Sequence, residues 1–140
     1  MKINHIAIWC LDLEVMRHFY ENLFKAECNE KYEDKNVGFA SYFLTLPDGF
    51  RIELMTMDSV LESGADVYTQ FIGWAHLAVS LGSEKNVDEL TEKLVSEGYA
   101  LLDGPYRTGD GYYESVILDP EGNRLELTVI KILCLYLYYK

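Results

Sequence analysis

The chain repeats itself, and the repeat carries its chemistry. Residues 47–54 read Pro-Asp-Gly-Phe-Arg-Ile-Glu-Leu and residues 120–127 read Pro-Glu-Gly-Asn-Arg-Leu-Glu-Leu. Each copy is preceded by a histidine in matched surroundings, His5-Ile6-Ala7-Ile8 and His76-Leu77-Ala78-Val79. The two histidines are 71 residues apart and the two glutamates, Glu53 and Glu126, are 73 apart. A sequence built this way must fold as two like modules, each with a His near its start and a Glu near its end. Fused, the halves offer two His and two Glu to one metal ion.

The element pattern supports the duplication. In the first copy, Ile3–Cys10 alternates as a strand, and Asp12 is placed to cap a helix. Val15, Met16, Phe19, Tyr20 and Leu23 keep helical spacing to about Phe24. A weak strand is expected over 26–33 and an aromatic, β-rich one over 38–46. Pro47-Asp48-Gly49 then turns the chain into a strand over 50–57. The second copy repeats the order. A strand spans 74–81, and Ser83 caps a helix whose apolar positions are Val87, Leu90, Leu94 and Val95, ended by Gly98. Strands are expected over 99–102, 112–118 and 123–130, with a turn-rich loop over 104–111 that is either a cover for a site or an ordinary β-connection. The reading is a single domain over 1–140, with module 1 at about 1–58, a linker at about 59–72 and module 2 at about 73–131. An apolar tail, 132–140, ends it.

Alternation along strands assigns the faces. His5, Ala7 and Trp9 oppose Ile6 and Ile8, and Arg51, Glu53, Met55 and Met57 oppose Ile52 and Leu54. His76, Ala78 and Ser80 oppose Leu77 and Val79, and Arg124, Glu126 and Thr128 oppose Leu125 and Leu127. In all four strands the aliphatic face is free to pack on a helix, and the His or Glu falls on the other. Two imidazoles with two carboxylates form a mixed N/O set suited to a divalent first-row ion. Ni²⁺ and Zn²⁺ head the list, and Co²⁺, Mn²⁺ and Fe²⁺ are also compatible. The alternative is a pair of equivalent His–Glu contacts that only tie strands together. Arg51 and Arg124 recur in both copies and are expected to pair with acidic residues near the ligands, as structural support.

Composition narrows the partners. The chain has 140 residues, 49% hydrophobic and 25% charged, a globular balance. A domain of that length buries about two-thirds of its unfolded surface. The net charge is −11, which argues against nucleic acid and anionic membrane surfaces. No basic region leads an apolar stretch at the N-terminus, and no apolar run reaches the ~18 residues of a spanning helix. Cys10, Cys28 and Cys134 are odd in number and scattered, forming neither a disulfide framework nor a metal knuckle. The expectation is a cytoplasmic protein with free thiols.

These residues, over about 3–130, resemble the vicinal oxygen chelate superfamily, the glyoxalase, bleomycin-resistance and extradiol-dioxygenase group. The resemblance implies an α+β fold, two tandem βαβββ modules forming a cupped, incomplete β-barrel around a metal site. Within that group the set His5, Glu53, His76 and Glu126 looks most like that of glyoxalase I, lactoylglutathione lyase. The implied reaction converts the hemithioacetal of a 2-oxoaldehyde and a thiol into a 2-hydroxyacyl thioester. By resemblance Glu126 is the base, Glu53 its counterpart, and His5 and His76 are mainly ligands. Alternatives on the same scaffold are an epimerase, a thiol transferase, a dioxygenase, or a resistance protein that sequesters a small molecule.

Two positions depart from the glutathione-dependent lyases. Those enzymes carry Arg four residues after the first His, where this chain has Trp9. They often carry Asn four residues after the first Glu, where it has Met57. Leaving a substrate carboxylate unpaired costs about 1–3 kcal/mol. A different thiol adduct, or an apolar or aromatic substrate, therefore fits Trp9, Met55 and Met57 better than glutathione. Arg107, Tyr112 and Tyr113 are further candidates for substrate contact. The family commonly forms homodimers, and the tyrosine-rich tail, Ile132 to Tyr139, is expected to pack on a partner chain or on its own sheet.

Overall fold

The computed structural model describes residues 1–130. The tail and Cys134, with the packing expected of them, lie outside the described residues. The chain divides into two compact units, Met1–Ala65 and Asp66–Lys140.

The first unit runs β1 (Ile6–Trp9), α1 (Leu13–Phe24), β2 (Glu27–Cys28), β3 (Tyr32–Asp34), β4 (Phe39–Thr45) and β5 (Arg51–Thr56). Asp12 caps α1 as expected, accepting from the backbone N–H of Glu14 and Val15. The helix buries Leu13, Met16, Phe19 and Tyr20. Val15 was expected on this stripe but is exposed. It stands beside the 13-16-20 line rather than on it, and solvent takes it. The sheet order is β1-β5-β4-β2, with β3 also on β4. First and last strands lie side by side in parallel, Ile6 opposite Ile52 through Trp9 opposite Met55. The strand expected over 26–33 is two short pieces. Between them the Asn29 N–H donates to the Phe43 carbonyl at 3.1 Å, and the Asn29 side-chain oxygen accepts from the Phe43 N–H at 2.7 Å. Ile52, Leu54, Leu44 and Met16 are fully buried, each stabilising by about 1.5–3 kcal/mol.

The second unit repeats the plan with β6 (Leu77–Ser80), α2 (Glu84–Ser96), β7 (Leu101–Arg107), β8 (Tyr112–Leu118) and β9 (Arg124–Ile130). Its order is β6-β9-β8-β7, again with first and last strands parallel. Ser83 caps α2 by accepting from the Asn86 N–H at 3.1 Å. Val87, Thr91 and Leu94 face the sheet, and the Thr91 hydroxyl is bonded to the Val87 carbonyl and the Ser115 hydroxyl, both at 2.6 Å. Leu90 is only partly buried and Val95 is exposed, because the buried line runs 87-91-94 and leaves them at its edge.

The loop expected over 104–111 is a correction. Residues 104–107 belong to β7, and only the turn before Tyr112 lies outside strand. The β7–β8 register shifts between Leu101 and Asp103 and again between Asp103 and Tyr106. Such bulges let Gly104 and Pro105 sit within a strand, so this segment is sheet rather than a cover.

The chain thus has a mixed α+β fold of two βαβββ modules, with β2 and β3 together filling one strand position of the first.

Candidate metal centre

The parallel pairing places the two His–Glu pairs in the same way. Ala7 is opposite Glu53 and Ala78 is opposite Glu126. Each histidine lies two residues before its alanine, on the same face and one position ahead of the strand proper. His5 Nε2 lies 3.3 Å from Glu53 Oε2, and His76 Nε2 lies 3.1 Å from Glu126 Oε2. The carboxylates are 16% and 13% exposed and the imidazoles 33% and 39%. Each pair therefore reaches the surface through its histidine.

These spacings fit a shared ion. Two donors bound at about 2.0–2.2 Å and at right angles stand about 3 Å apart. A carboxylate and a neutral imidazole also form the hard-to-borderline set that divalent first-row metals accept. Among the described residues, no group of three or more His, Cys, Asp and Glu is gathered to hold an ion. Each module therefore brings together one His–Glu pair.

The surroundings of the two pairs differ. In the first unit, the His5 Nδ1 lies 2.7 Å from the Asn4 side-chain oxygen. The His5 ring stands perpendicular to Phe43, centroids 5.2 Å apart, and the Arg51 guanidinium lies 4.1 Å from the Phe43 centroid. In the second unit, Arg124 donates to the Val67 and Thr69 carbonyls. The expected pairing of Arg51 and Arg124 with acidic residues is thus corrected. One arginine is spent on an aromatic ring and the other on backbone oxygens. Across β8, Val116 is opposite Glu126 and Glu114 is opposite Thr128, so Glu114 shares the Glu126 face. Burial, then the charges of Glu126 and Asp110, push the Glu114 carboxyl above its usual range, with His76 acting the other way.

The substrate candidates divide. Trp9 is opposite Met55 and meets Phe39 edge-on at 6.3 Å, and Phe39 in turn contacts Tyr32. Trp9 and Met55 therefore lie on the His5–Glu53 face with an aromatic neighbour. Met57 follows β5 and is half-buried. Tyr112 lies on the Glu114 side of β8. Arg107 and Tyr113 are turned to α2: Arg107 pairs with Glu84, and the Tyr113 hydroxyl donates to Asp88 at 2.7 Å. Cys10 and Cys28 are in no disulfide, and burial, followed by the Glu21 charge, raises the Cys28 thiol. That opposes a nucleophilic role.

Asn4, Phe43 and Glu114 are neighbours of the pairs that the sequence pattern did not single out. No repeat marked them: Ala75 stands before His76 where Asn4 stands before His5, and Val116 is opposite Glu126 where Phe43 is opposite Glu53.

A family model described as the Glyoxalase/Bleomycin resistance protein/Dioxygenase superfamily matches residues 2–127. The uncharacterized protein YqjT of Bacillus subtilis (strain 168) is 29% identical over 129 residues, covering 89% of this chain and 96% of that protein. Among solved structures, the fosfomycin resistance protein FosX of Listeria monocytogenes, complexed with Mn(II) and sulfate, superposes with a TM-score of 0.68 at 23% identity. The match covers 94% of this chain and 93% of that one. A glyoxalase I mutant from Zea mays superposes with a TM-score of 0.72 at 22% identity, over 91% of this chain and 44% of that one. At these identities the structural likenesses establish the fold alone.

Proposed function

The chain belongs to the Glyoxalase/Bleomycin resistance protein/Dioxygenase superfamily, and from that premise we propose that it is a metal-dependent lyase of the glyoxalase I kind. His5, Glu53, His76 and Glu126 pool their donors on one divalent ion, Ni²⁺ or Zn²⁺, with modules drawn from one chain or from two chains of a homodimer. The observation behind this is the repeated pair: the same two residue types, in the same strand register, at 3.3 and 3.1 Å. Strand-tying contacts need no such repetition, and a two-donor half-site is incomplete alone.

When bound, the ion supplies Lewis acidity to the substrate oxygens. The chain supplies the rest. Glu126 takes the proton from the carbon bearing the thiol sulfur and returns it to the neighbouring carbon, converting a hemithioacetal into a 2-hydroxyacyl thioester with no net gain or loss of atoms. Glu53 is its counterpart from the other module, and His5 and His76 remain ligands. Trp9, Met55 and Phe39 give the first half-site an apolar margin, which favours an adduct of an apolar thiol or aldehyde over glutathione. Glu114 adds negative charge beside Glu126, which disfavours strongly anionic substrates there.

The test strips the protein of metal, reloads it with Ni²⁺ or Zn²⁺, and follows thioester formation from methylglyoxal with glutathione and with small apolar thiols. Metal-dependent turnover is expected, with higher kcat/KM for the apolar adduct. Glu126→Gln is expected to keep the metal site largely intact and to lower turnover by about 10²–10⁴-fold, the usual weight of a positioned base. Metal uptake without turnover on any thiol adduct sinks the lyase reading and moves the search to epimerase, thiol-transfer and dioxygenase chemistry. Ligand binding by metal-free protein, without turnover, points to sequestration.

A further inference from the structure

The two half-sites have the same ligands but not the same support. A neutral imidazole carries its proton on either nitrogen, and only the nitrogen without it can bind a metal. An amide oxygen accepts and never donates, so the 2.7 Å contact between His5 Nδ1 and the Asn4 oxygen is a hydrogen bond only in the tautomer that carries its proton on Nδ1. The lone pair is then on Nε2, the atom 3.3 Å from Glu53. Phe43 fixes the remaining freedom. It stands perpendicular to the imidazole at 5.2 Å and is itself held by Arg51 at 4.1 Å.

Among the described residues, the second module shows neither device. Ala75 stands where Asn4 does, and Val116 is opposite Glu126 where Phe43 is opposite Glu53. Arg124, the counterpart of Arg51, is committed to backbone carbonyls.

We propose that Asn4 and Phe43 are positioning residues: Asn4 sets the His5 tautomer and Phe43 its ring orientation, so that the first half-site is formed before metal arrives. The proposal rests on the metal reading above.

The test has two readouts. In metal-free protein, long-range ¹H–¹⁵N spectra are expected to show His5 in the Nδ1–H form. Asn4→Ala is expected to move it toward the Nε2–H form, and Asn4→Asp, which keeps an acceptor, to restore it. Zn²⁺ affinity, measured against a chromogenic chelator, is expected to fall about 10–100-fold in Asn4→Ala, the usual effect of removing a partner behind a ligand. Phe43→Leu is expected to weaken Zn²⁺ without changing the tautomer. Asn4 is exposed and precedes β1, so the backbone fingerprint should stay that of the wild type. An unchanged His5 tautomer in Asn4→Ala overturns the proposal, as does a changed tautomer with unaltered Zn²⁺ affinity. Wild-type protein that takes up no metal overturns the metal reading and the metal half of this proposal with it, while the spectra still decide whether Asn4 sets the tautomer.

Discussion

Glu14, in the first turn of α1, joins that helix to the sheet. It accepts from the Tyr42 hydroxyl at 2.9 Å and pairs with Arg17 and Lys31 at 3.0 and 3.3 Å. Burial opposes its ionisation, but the bonds from Tyr42, Lys31 and Arg17 outweigh burial, and its pKa lies below the ordinary 4.5. The sign follows by linkage. The folded state holds this proton less tightly than the unfolded chain, so the stabilisation is full above pH 4.5 and is lost as pH falls through the lowered folded value. Urea midpoints at pH 6 and pH 3 are therefore expected to differ more for the wild type than for Glu14→Gln, and equal differences would discard the idea. None of this was legible beforehand, because it joins residues 28 apart in sequence. His5, Glu53, His76 and Glu126 were legible because each appears twice, on the same side of an alternating strand. Asn4 was not, since a single Asn before a strand has no pattern to belong to.

At the scale of elements, caps and alternation foretold the helices and the faces of β1, β5, β6 and β9, while the parallel pairing of β1 with β5 and of β6 with β9, and the extent of β7, escaped. Its Gly-Pro and closely spaced glycines read as a loop because turn residues normally end strands. What the sequence does not display is the neighbour. At Gly104 a Cβ would lie 2.5 Å from the Glu114 carbonyl oxygen and 2.7 Å from the Ser115 Cα, with φ at +82°. The strand is bulged there so that its backbone can touch β8, and only glycine allows it. Gly104→Ala is expected to cost the left-handed penalty of about 1–2 kcal/mol and a further 1–3 kcal/mol, roughly, for crowding against backbone. Gly111, with φ at +100° and open space around it, supplies the control. Gly111→Ala should lose only the first part. Thermal unfolding of both variants tests this, and equal losses would show that the β7–β8 contact gives way cheaply. Glu114 sits on the strand that Gly104 touches, so a displaced β7 should also alter the environment of the Glu126 face.

At the scale of the molecule, the duplication leaves two compact units, Met1–Ala65 and Asp66–Lys140, each with its own core and its own pair of donors. Two independent cores need not unfold together. A ligand that takes donors from both must couple them, because binding stabilises whatever is required to bind, by about 2.7 kcal/mol at a hundredfold excess over Kd. If one ion takes all four ligands, Zn²⁺ should slow amide exchange in β1 and β5 and in β6 and β9 alike. The decisive variant is His76→Ala. Pooled donors predict that it removes metal protection from β1 and β5, although the altered residue lies in the other unit. Separate pairs predict that β1 and β5 keep theirs. Dilution then distinguishes the source of the second half-site. Protection that fades with protein concentration means that two chains share the ion, and protection that persists means that one chain supplies every donor.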